Sequence, residues 1–478
     1  MTLAKKVALN TIVQTASKII STALGLLTIA LMTRYLGPSG FGEYTTIITF
    51  ISFFAVIADL GLTLVTVQLI SVPDSVPGDT ANDQNRILSN LFSLRLLSAL
   101  FFLGLAPIII WLLPYDQAIK IGVLIATASF LFPALNQILV GLFQKKLRLD
   151  RVSIAEIASR LLLFAAAFAV AHFGYGLDGM LYALVLSSAL NFGLLWLFSK
   201  KYAKISLNFD KNLWLTIIKK TWPIGLTIFL NLIYLRADTL ILSLLRDSNE
   251  VGIYGASYRV IDVLITLPFI FAGIVLPILT AGWQSNRDNF NSVLQKSFDL
   301  MVLLALPLIV GTQFVGKRIM TIVGGSEFAI SGDILRVLIL GAGIIFVGTV
   351  FSHAIIAIDH QKKIISAYAF VAATALIGYL VFIPRYGYYG AAWVTIYSEL
   401  AIALAAYILV KKVTGFSPGL SVAGKAFVSS LVMAAALSLL SGLNLVFLVI
   451  FAIMVYFICL YFLKGITNQQ ILELISKG

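Results

Sequence analysis

Cysteine, histidine and acidic side chains are scarce in this sequence. The 478 residues include one cysteine, three histidines and 21 acidic residues. The single cysteine, Cys459, excludes both a disulfide framework and a cysteine-based metal site, and the histidines form no cluster with acidic residues at metal-ligand spacing. A phosphate-cradling glycine-rich loop and paired carboxylates in the loops are also absent. We therefore predict no catalytic residues, no metal and no bound cofactor.

Charge is low overall and mostly positive. Charged residues make up 12% of the chain and hydrophobic residues 60%, and the mean hydropathy is +1.00. A soluble protein of this length would need far more charged surface. The net charge of +13 could fit a nucleic-acid partner, but the lysines and arginines lie mainly in short loops between apolar segments, which is typical of membrane proteins. We predict an integral membrane protein and no nucleic-acid partner.

Long apolar segments recur along the chain, and a transmembrane helix needs about 20 apolar residues. About 14 segments meet this requirement, which predicts an all-α polytopic fold without a large soluble domain. Four prolines inside these segments, Pro133, Pro268, Pro277 and Pro307, indicate kinks. The predicted transmembrane helices are residues 10–34, 41–70, 87–113, 119–142, 152–172, 178–199, 222–245, 251–281, 294–315, 331–358, 363–383, 389–410, 422–441 and 444–464.

The orientation in the membrane follows from the positions of the basic residues. If the N-terminus is cytoplasmic, most loop lysines and arginines fall on the cytoplasmic side, which is the arrangement that membrane proteins favour. The loop at 71–85 is an exception, since it carries three aspartates and no lysine. We predict that both termini lie in the cytoplasm and that the protein resides in the cytoplasmic (inner) membrane.

Short motifs recur in both halves of the chain in the same order. Each repeat would contain six helices, and an even number returns the chain to the same side, so the repeats are parallel. The matching segments are Phe41-Gly-Glu-Tyr44 with Val251-Gly-Ile-Tyr254, Gln144-Lys-Lys146 with Gln361-Lys-Lys363, and Tyr175-Gly-Leu-Asp-Gly179 with Tyr386-Gly-Tyr-Tyr-Gly390. The predicted organisation is an N-terminal lobe at 1–199, a basic cytoplasmic linker at 200–221, a C-terminal lobe at 222–412, and two additional helices with a cytoplasmic tail at 413–478. We expect the linker to lie on the membrane surface.

Several charged side chains lie inside the predicted spans, where each costs roughly 2.5–3.5 kcal/mol at the bilayer centre. So many charges indicate a water-filled interior lined by polar groups. The cations are Lys18, Arg95, Arg160, Arg236, Arg259 and Arg336, and the principal acids are Asp59, Glu156, Asp238, Asp262 and Glu399.

Spacing along the helices separates structural from functional interpretations of these charges. Glu156 and Arg160 are four residues apart, and Arg259 and Asp262 three apart, so each pair can form an ion pair on one helix face. Arg236 and Asp238 point to different sides of their helix and need partners elsewhere. Arg95 is two turns from a helix end, and we expect its side chain to extend to the cytoplasmic surface.

Two further carboxylates remain open to two interpretations. Asp59 and Glu399 are candidate sites for a coupling proton or sodium ion. A structural role, in which each accepts hydrogen bonds from the backbone or from a neighbouring arginine, fits the sequence equally well.

Two regions of the chain resemble a known family. Arg34-Tyr-Leu-Gly-Pro-Ser-Gly-Phe-Gly-Glu-Tyr44 is followed by Asp59-Leu-Gly-Leu62, and Tyr234-Leu-Arg-Ala-Asp238 by Val251-Gly-Ile-Tyr254. Together these segments are similar to the Wzx-type polysaccharide-biosynthesis flippases of the multidrug/oligosaccharidyl-lipid/polysaccharide exporter superfamily. The resemblance is strongest at 30–62 and 222–282 and weaker after 410.

The resemblance implies two six-helix lobes around a central cavity, with alternating access. The cargo would be an oligosaccharide linked through pyrophosphate to a polyprenol, flipped to the outer leaflet for surface polysaccharide such as O-antigen. Membrane lipid, a glycan polymerase and glycosyltransferases would be its partners, with proton or sodium coupling. The cations that would attract the pyrophosphate are Lys18, Arg160, Arg236, Arg259 and Arg336, and the coupling or ion-pair carboxylates are Asp59, Asp238, Asp262 and Glu399.

Three other functions fit parts of the sequence. A multidrug or organic-cation antiporter of the same superfamily would use the buried carboxylates, but intramembrane arginines argue against cationic cargo. A lipid II-type flippase would differ only in the sugar. A membrane-embedded glycan polymerase or ligase would be expected to carry a large external loop with arginines and acids, and no such loop is evident.

Overall fold

The computed structural model describes residues 3–59, 61–63, 66, 81–440 and 442–465, which are helical with short connections and contain no strand. The predicted acidic loop at 71–85 lies largely outside the described residues, as does the predicted tail after 465. The α-helices are α1 Leu3–Asp59, α2 Ala81–Leu112, α3 Gln117–Lys145, α4 Leu149–Phe173, α5 Gly176–Ser199, α6 Lys211–Leu245, α7 Ser248–Ser285, α8 Arg287–Gly324, α9 Ser331–Ala357, α10 Gln361–Thr414, α11 Ser421–Leu439 and α12 Leu445–Phe462; a 3-10 turn spans Ser326–Phe328.

The two longest helices are each broken at one glycine. Backbone φ is 64° at Gly37 in α1 and 55° at Gly387 in α10, a region that side chains other than glycine rarely adopt. Each long helix therefore holds two of the predicted spans, and the described residues form fourteen helical segments. Eleven of the described helices are long and apolar enough to cross a membrane. The predicted all-α, polytopic membrane fold is confirmed.

Several predicted helix boundaries are wrong. The span predicted at 41–70 lies in a helix that ends at Asp59, just before Gly61 with its φ of 75°, and the predicted end at 67–70 lies outside the described residues. The span predicted at 222–245 belongs to a helix that begins at Lys211. Asp210 sets this early start because its side chain accepts a hydrogen bond from the Leu213 backbone N–H, which is a common N-terminal cap. The connection between the predicted spans 294–315 and 331–358 is short, since α8 runs to Gly324. Apolar residues mark the part of a helix that lies in the membrane, whereas the backbone hydrogen bonds of the helix continue into the polar residues at its ends.

The chain divides into two compact units, Met1–Gly252 and Ile253–Gly478. In the first unit, an apolar core centred on Leu91, Ile138 and Leu142 joins α2, α3 and the start of α6. In the second unit, aromatic residues of α8 and α9 form the core together with α10. Helices α11 and α12 pack on α8, where the Tyr456 hydroxyl donates to the Leu303 carbonyl at 2.8 Å. The domain boundaries at 199/200, 221/222 and 412/413 stay a prediction.

Two glycines of the repeated motif approach each other in the first unit. A Cβ built on Gly42 would lie under 3.0 Å from the carbonyl oxygen of Ser248, and one built on Gly252 equally close to the carbonyl oxygen of Pro38. Ser248 lies four residues before Gly252, and Pro38 lies four residues before Gly42, so the contact between the two helices is reciprocal. The second segment of α1 and the first turn of α7 therefore pack backbone against backbone.

Residues 203–210, which we call the strap, bind along the first turns of α2. The backbone N–H groups of Lys204, Ser206, Asn208 and Asp210 donate to side chains of α2 at 2.8–3.1 Å. Alternate N–H groups face the helix, as expected of an extended chain. The acceptors are Asn85, Ser89, Ser93 and Asn90 respectively. This part of the predicted surface linker is thus fixed to a transmembrane helix, because serine and asparagine line one face of α2.

The ion pair between Arg86 and Asp210, at the C-terminal end of the strap, should break in acid. The hydrogen bond from Arg86, at 2.5 Å, holds the pKa of the Asp210 carboxyl below its ordinary value. The ion pair is therefore complete above the ordinary aspartate pKa of about 3.9 and is lost as pH falls through the lowered value. We expect hydrogen-exchange protection of amides 204–210 to be constant from about pH 7 to pH 5 and to fall only below about pH 4. Asp210→Asn should lower this protection at neutral pH by less than about tenfold, because the pair is solvated. An unchanged protection factor in this variant would contradict the assignment.

Candidate functional site

A deeply buried ion pair joins Asp59 to Arg95 in the first unit. The Arg95 Nη1 atom lies 2.6 Å from Asp59 Oδ1, and the two side chains are 4% and 13% exposed. The Thr63 hydroxyl donates to the same carboxylate oxygen at 2.5 Å. The predicted extension of Arg95 to the cytoplasmic surface is therefore wrong, and the structural interpretation of Asp59 accounts for these contacts.

Arg95 also binds two helix carbonyls. Its Nε donates to the Ala134 carbonyl of α3 at 3.0 Å, and its Nη1 donates to the Ala58 carbonyl of α1 at 3.1 Å. The Ser98 hydroxyl, one turn further along α2, donates to the same Ala58 oxygen at 2.9 Å. Ala58 lies in the last turn of α1, where helix carbonyls commonly accept hydrogen bonds from side chains. Arg95 thus links α1, α2 and α3, and it donates a hydrogen bond to a backbone carbonyl at the C-terminal end of α1.

Helix α6 carries a second buried carboxylate. Asp238 is fully buried, and its Oδ1 accepts hydrogen bonds from the backbone N–H and the hydroxyl of Thr239 at 2.5 and 3.1 Å. Arg236, two residues earlier, is half-buried. The different burial of the two side chains agrees with the prediction that they point to different sides of the helix.

The other two predicted cations of the first unit are exposed. Lys18 lies on α1 and Arg160 on α4, and both side chains are solvent- or lipid-accessible. In the described part of the chain, Arg160 forms no ion pair with Glu156, although their spacing predicts one. A favourable spacing permits such a pair, but an exposed pair gains little free energy from forming.

In the second unit, two predicted cations are held by acids of their own helix. Arg259 Nη1 lies 3.9 Å from Asp262 Oδ2, with both side chains about a quarter exposed. Arg336 donates to Asp333 at 2.8 Å, and Lys317 of α8 binds the same carboxylate at 2.9 Å. Asp333 carries no signal in the sequence that marks it as a partner, because it lies in the first turn of α9, where an acidic residue is usual. Glu399 is 6% exposed in the second segment of α10.

The predicted residues therefore fall into three groups. Asp59 is paired with Arg95, and Arg336 with Asp333, at short distances. Arg259 and Asp262 form a longer, partly exposed pair. Lys18, Arg160 and Arg236 are accessible or half-buried cations in helices, and Asp238 and Glu399 are buried acids. The residues that the structure describes hold no cluster of three or more metal-ligating side chains.

Comparisons with known proteins show which family the chain resembles. A family profile described as "Polysaccharide biosynthesis protein" matches residues 7–283. A "Probable flippase AglR" of Haloferax volcanii is 22% identical over 90% of this chain and 89% of its own length. The "Capsular polysaccharide biosynthesis protein CapF" of Staphylococcus aureus is 21% identical over 69% of this chain and 83% of its own.

Solved structures share the fold. "Lipid II flippase MurJ, inward closed conformation" superposes with a TM-score of 0.79, covers 96% of this chain and 99% of its own, and is 17% identical. An inward-facing multidrug resistance MATE family transporter of the MOP superfamily gives 0.68, with 83% and 94% covered and 14% identity. At such low identity the superpositions establish the polytopic helical architecture, whereas the profile match spans more than half of the sequence. The chain belongs to the polysaccharide biosynthesis protein family.

Proposed function

We propose that this protein flips polyprenyl-pyrophosphate-linked oligosaccharides from the cytoplasmic to the outer leaflet by alternating access. The observation that carries the proposal is the family match over residues 7–283, which includes Lys18, Arg236 and Arg259. A relative named as a probable flippase aligns with nine-tenths of the chain. The protein is accordingly a transporter and not an enzyme.

The charges in the helices support an anionic cargo. A cation inside a membrane span costs free energy unless it binds a counter-charge, and a pyrophosphate offers several acceptor oxygens to lysine and arginine. We assign headgroup attraction to Lys18, Arg236 and Arg259, since Lys18 is exposed, Arg236 is half-buried and Arg259 holds its acid only at 3.9 Å. Arg160 is a further exposed candidate. Arg336 is held by Asp333 at 2.8 Å, and we assign it a structural role.

The remaining assignments follow from this function. The protein would reside in the cytoplasmic membrane with both termini inside, beside the glycosyltransferases that supply its cargo and the polymerase that consumes it. If proton or sodium coupling operates, Asp238 and Glu399 are the candidate carboxylates because both are buried. Asp59 is less suited to a coupling ion or to an organic cation, since it already binds Arg95.

The test is transport by the purified chain in liposomes loaded with a fluorescent lipid-linked oligosaccharide. Charge-assisted hydrogen bonds contribute about 1.5–3 kcal/mol each, so Lys18→Ala, Arg236→Ala and Arg259→Ala combined should slow flipping by at least about tenfold. The matched control removes three exposed lysines between α5 and α6, Lys200, Lys201 and Lys204, and should flip at the wild-type rate. Equal rates for the two triple variants would contradict the headgroup assignment. Absence of flipping together with uptake of organic cations would favour the antiporter.

A further inference from the structure

The second unit contains an apolar cavity of about 530 Å³. It lies between α8 over residues 298–309, α9 over residues 340–351 and α10 over residues 400–407, and Pro418 and Leu420 of the following loop close one end. Every lining side chain is apolar except that of Tyr407. Leu404 and Leu420 line the cavity and are 49% and 65% exposed, so the cavity opens sideways to the outside of the protein.

The cavity has the length of one membrane leaflet. Residues 298–309 extend about 16 Å along α8 at about 1.5 Å per residue, and half of a hydrocarbon core of about 30 Å is about 15 Å. A polar, water-soluble ligand would gain no binding free energy here, because the lining offers almost no hydrogen-bonding groups. The matching occupant is one straight apolar chain that spans a single leaflet.

One end of the cavity carries a lysine, and hydrogen bonds fix the loop at that end. Leu400, Leu404, Tyr407 and Lys411 follow one another at helical spacing on α10, and Lys411 Nζ lies 5.8 Å from the centre of the Tyr407 ring. Lys411 therefore continues the lining stripe beyond the apolar part, whereas Lys412 lies off that stripe. At the same end, Gln295 exchanges two hydrogen bonds with Gly419, at 2.8 and 3.0 Å, which hold the loop over the cavity.

We propose that this cavity binds one acyl chain of an anionic phospholipid, with the phosphate group at Lys411. The combination of an apolar cavity one leaflet long, a lateral opening and a cation at one end fits such an amphiphile. A polyprenyl chain of a glycan carrier is longer than one leaflet and would extend beyond the cavity. The site is independent of the proposed transport function, because it concerns a resident lipid of the second unit.

The experiment uses the full-length protein in phosphatidylcholine nanodiscs that contain a small fraction of phosphatidylglycerol with a photoreactive acyl chain. We expect labelled peptides from residues 298–309 and 400–407. A lysine near the membrane surface raises the affinity for an anionic lipid about fivefold. Lys411→Ala should therefore reduce labelling about fivefold, whereas Lys412→Ala, with the same change in charge, should leave it unchanged.

A second pair of variants tests the cavity itself. Leu404→Trp should fill the opening and abolish labelling, and Ile408→Trp, one turn further on the same helix and 60% exposed, should not. Ile344→Phe narrows the cavity from α9 and should also abolish labelling. It replaces Leu404→Trp in the comparison if the elution profile of that variant in size-exclusion chromatography shows poor folding. Equal labelling in Lys411→Ala and Lys412→Ala, or in both tryptophan variants, would overturn the proposal. Preferential labelling of this cavity by a photoreactive polyprenyl phosphate would also overturn it, by identifying the carrier as the occupant.

Discussion

Replacement of Arg95 by alanine is expected to destabilise the protein by about 3–5 kcal/mol. The substitution leaves the carboxylate of Asp59, 13% exposed, without its buried counter-charge. It also removes donors from the Ala58 and Ala134 carbonyls, and α1, α2 and α3 lose their shared contact. The midpoint of thermal unfolding of the purified protein in detergent, followed by circular dichroism, measures the loss.

Two variants separate this explanation from a general intolerance of substitution. Arg160→Ala removes the same side chain at an exposed position and should change the midpoint very little. Asp59→Leu combined with Arg95→Met removes both charges and keeps apolar volume, so it should recover most of the stability lost in Arg95→Ala. An Arg95→Ala protein as stable as Arg160→Ala would show that the buried pair is not required.

Alanine at Gly42 or Gly252 is expected to have the second largest effect, a loss of about 3 kcal/mol for each substitution. The added methyl would overlap a carbonyl oxygen of the facing backbone, at Ser248 for Gly42 and at Pro38 for Gly252. Backbone atoms cannot rotate aside as a flexible side chain does, so the second segment of α1 and the first turn of α7 must separate. The same thermal unfolding measurement applies to both variants.

The matched control is Gly25→Ala in the first segment of α1. A Cβ at Gly25 meets no atom within 4 Å, and alanine is a better helix former than glycine by about 1 kcal/mol. This variant should be as stable as the wild type or slightly more stable. If Gly42→Ala and Gly25→Ala unfold at the same temperature, the close approach of the two helices does not limit stability.

Much of the fold was predictable because the membrane imposes a simple rule. Segments of about 20 apolar residues must be helical there, so the predicted spans overlap the observed helices, although their boundaries differ, even where Gly37 and Gly387 keep two spans in one helix. The repeated motifs also have structural counterparts. Gly42 and Gly252 contact each other's helices, and Gly176 and Gly387, which occupy the same motif position, both have positive φ.

The candidate site was less predictable than the fold. The sequence identified which charged residues lie inside helices, and spacing identified the pair of Arg259 with Asp262. Spacing failed for Glu156 and Arg160, and it could not pair Asp59 with Arg95, 36 positions away, because that contact depends on how α1 and α2 pack. The strap was unpredictable for the same reason, since its partners are side chains of a helix that precedes it by more than a hundred residues.

The sequence by itself determined that this protein crosses the membrane many times as helices, repeats short motifs in its two halves and carries charges within its spans. Those properties depend on local composition and on the free-energy cost of exposing backbone or charge to lipid. Only the tertiary structure decided which charges neutralise each other, where two helices meet without side chains between them, and where an apolar cavity remains. These depend on distances between segments far apart in the chain, because short-range ion pairing and close packing act only after the helices have assembled.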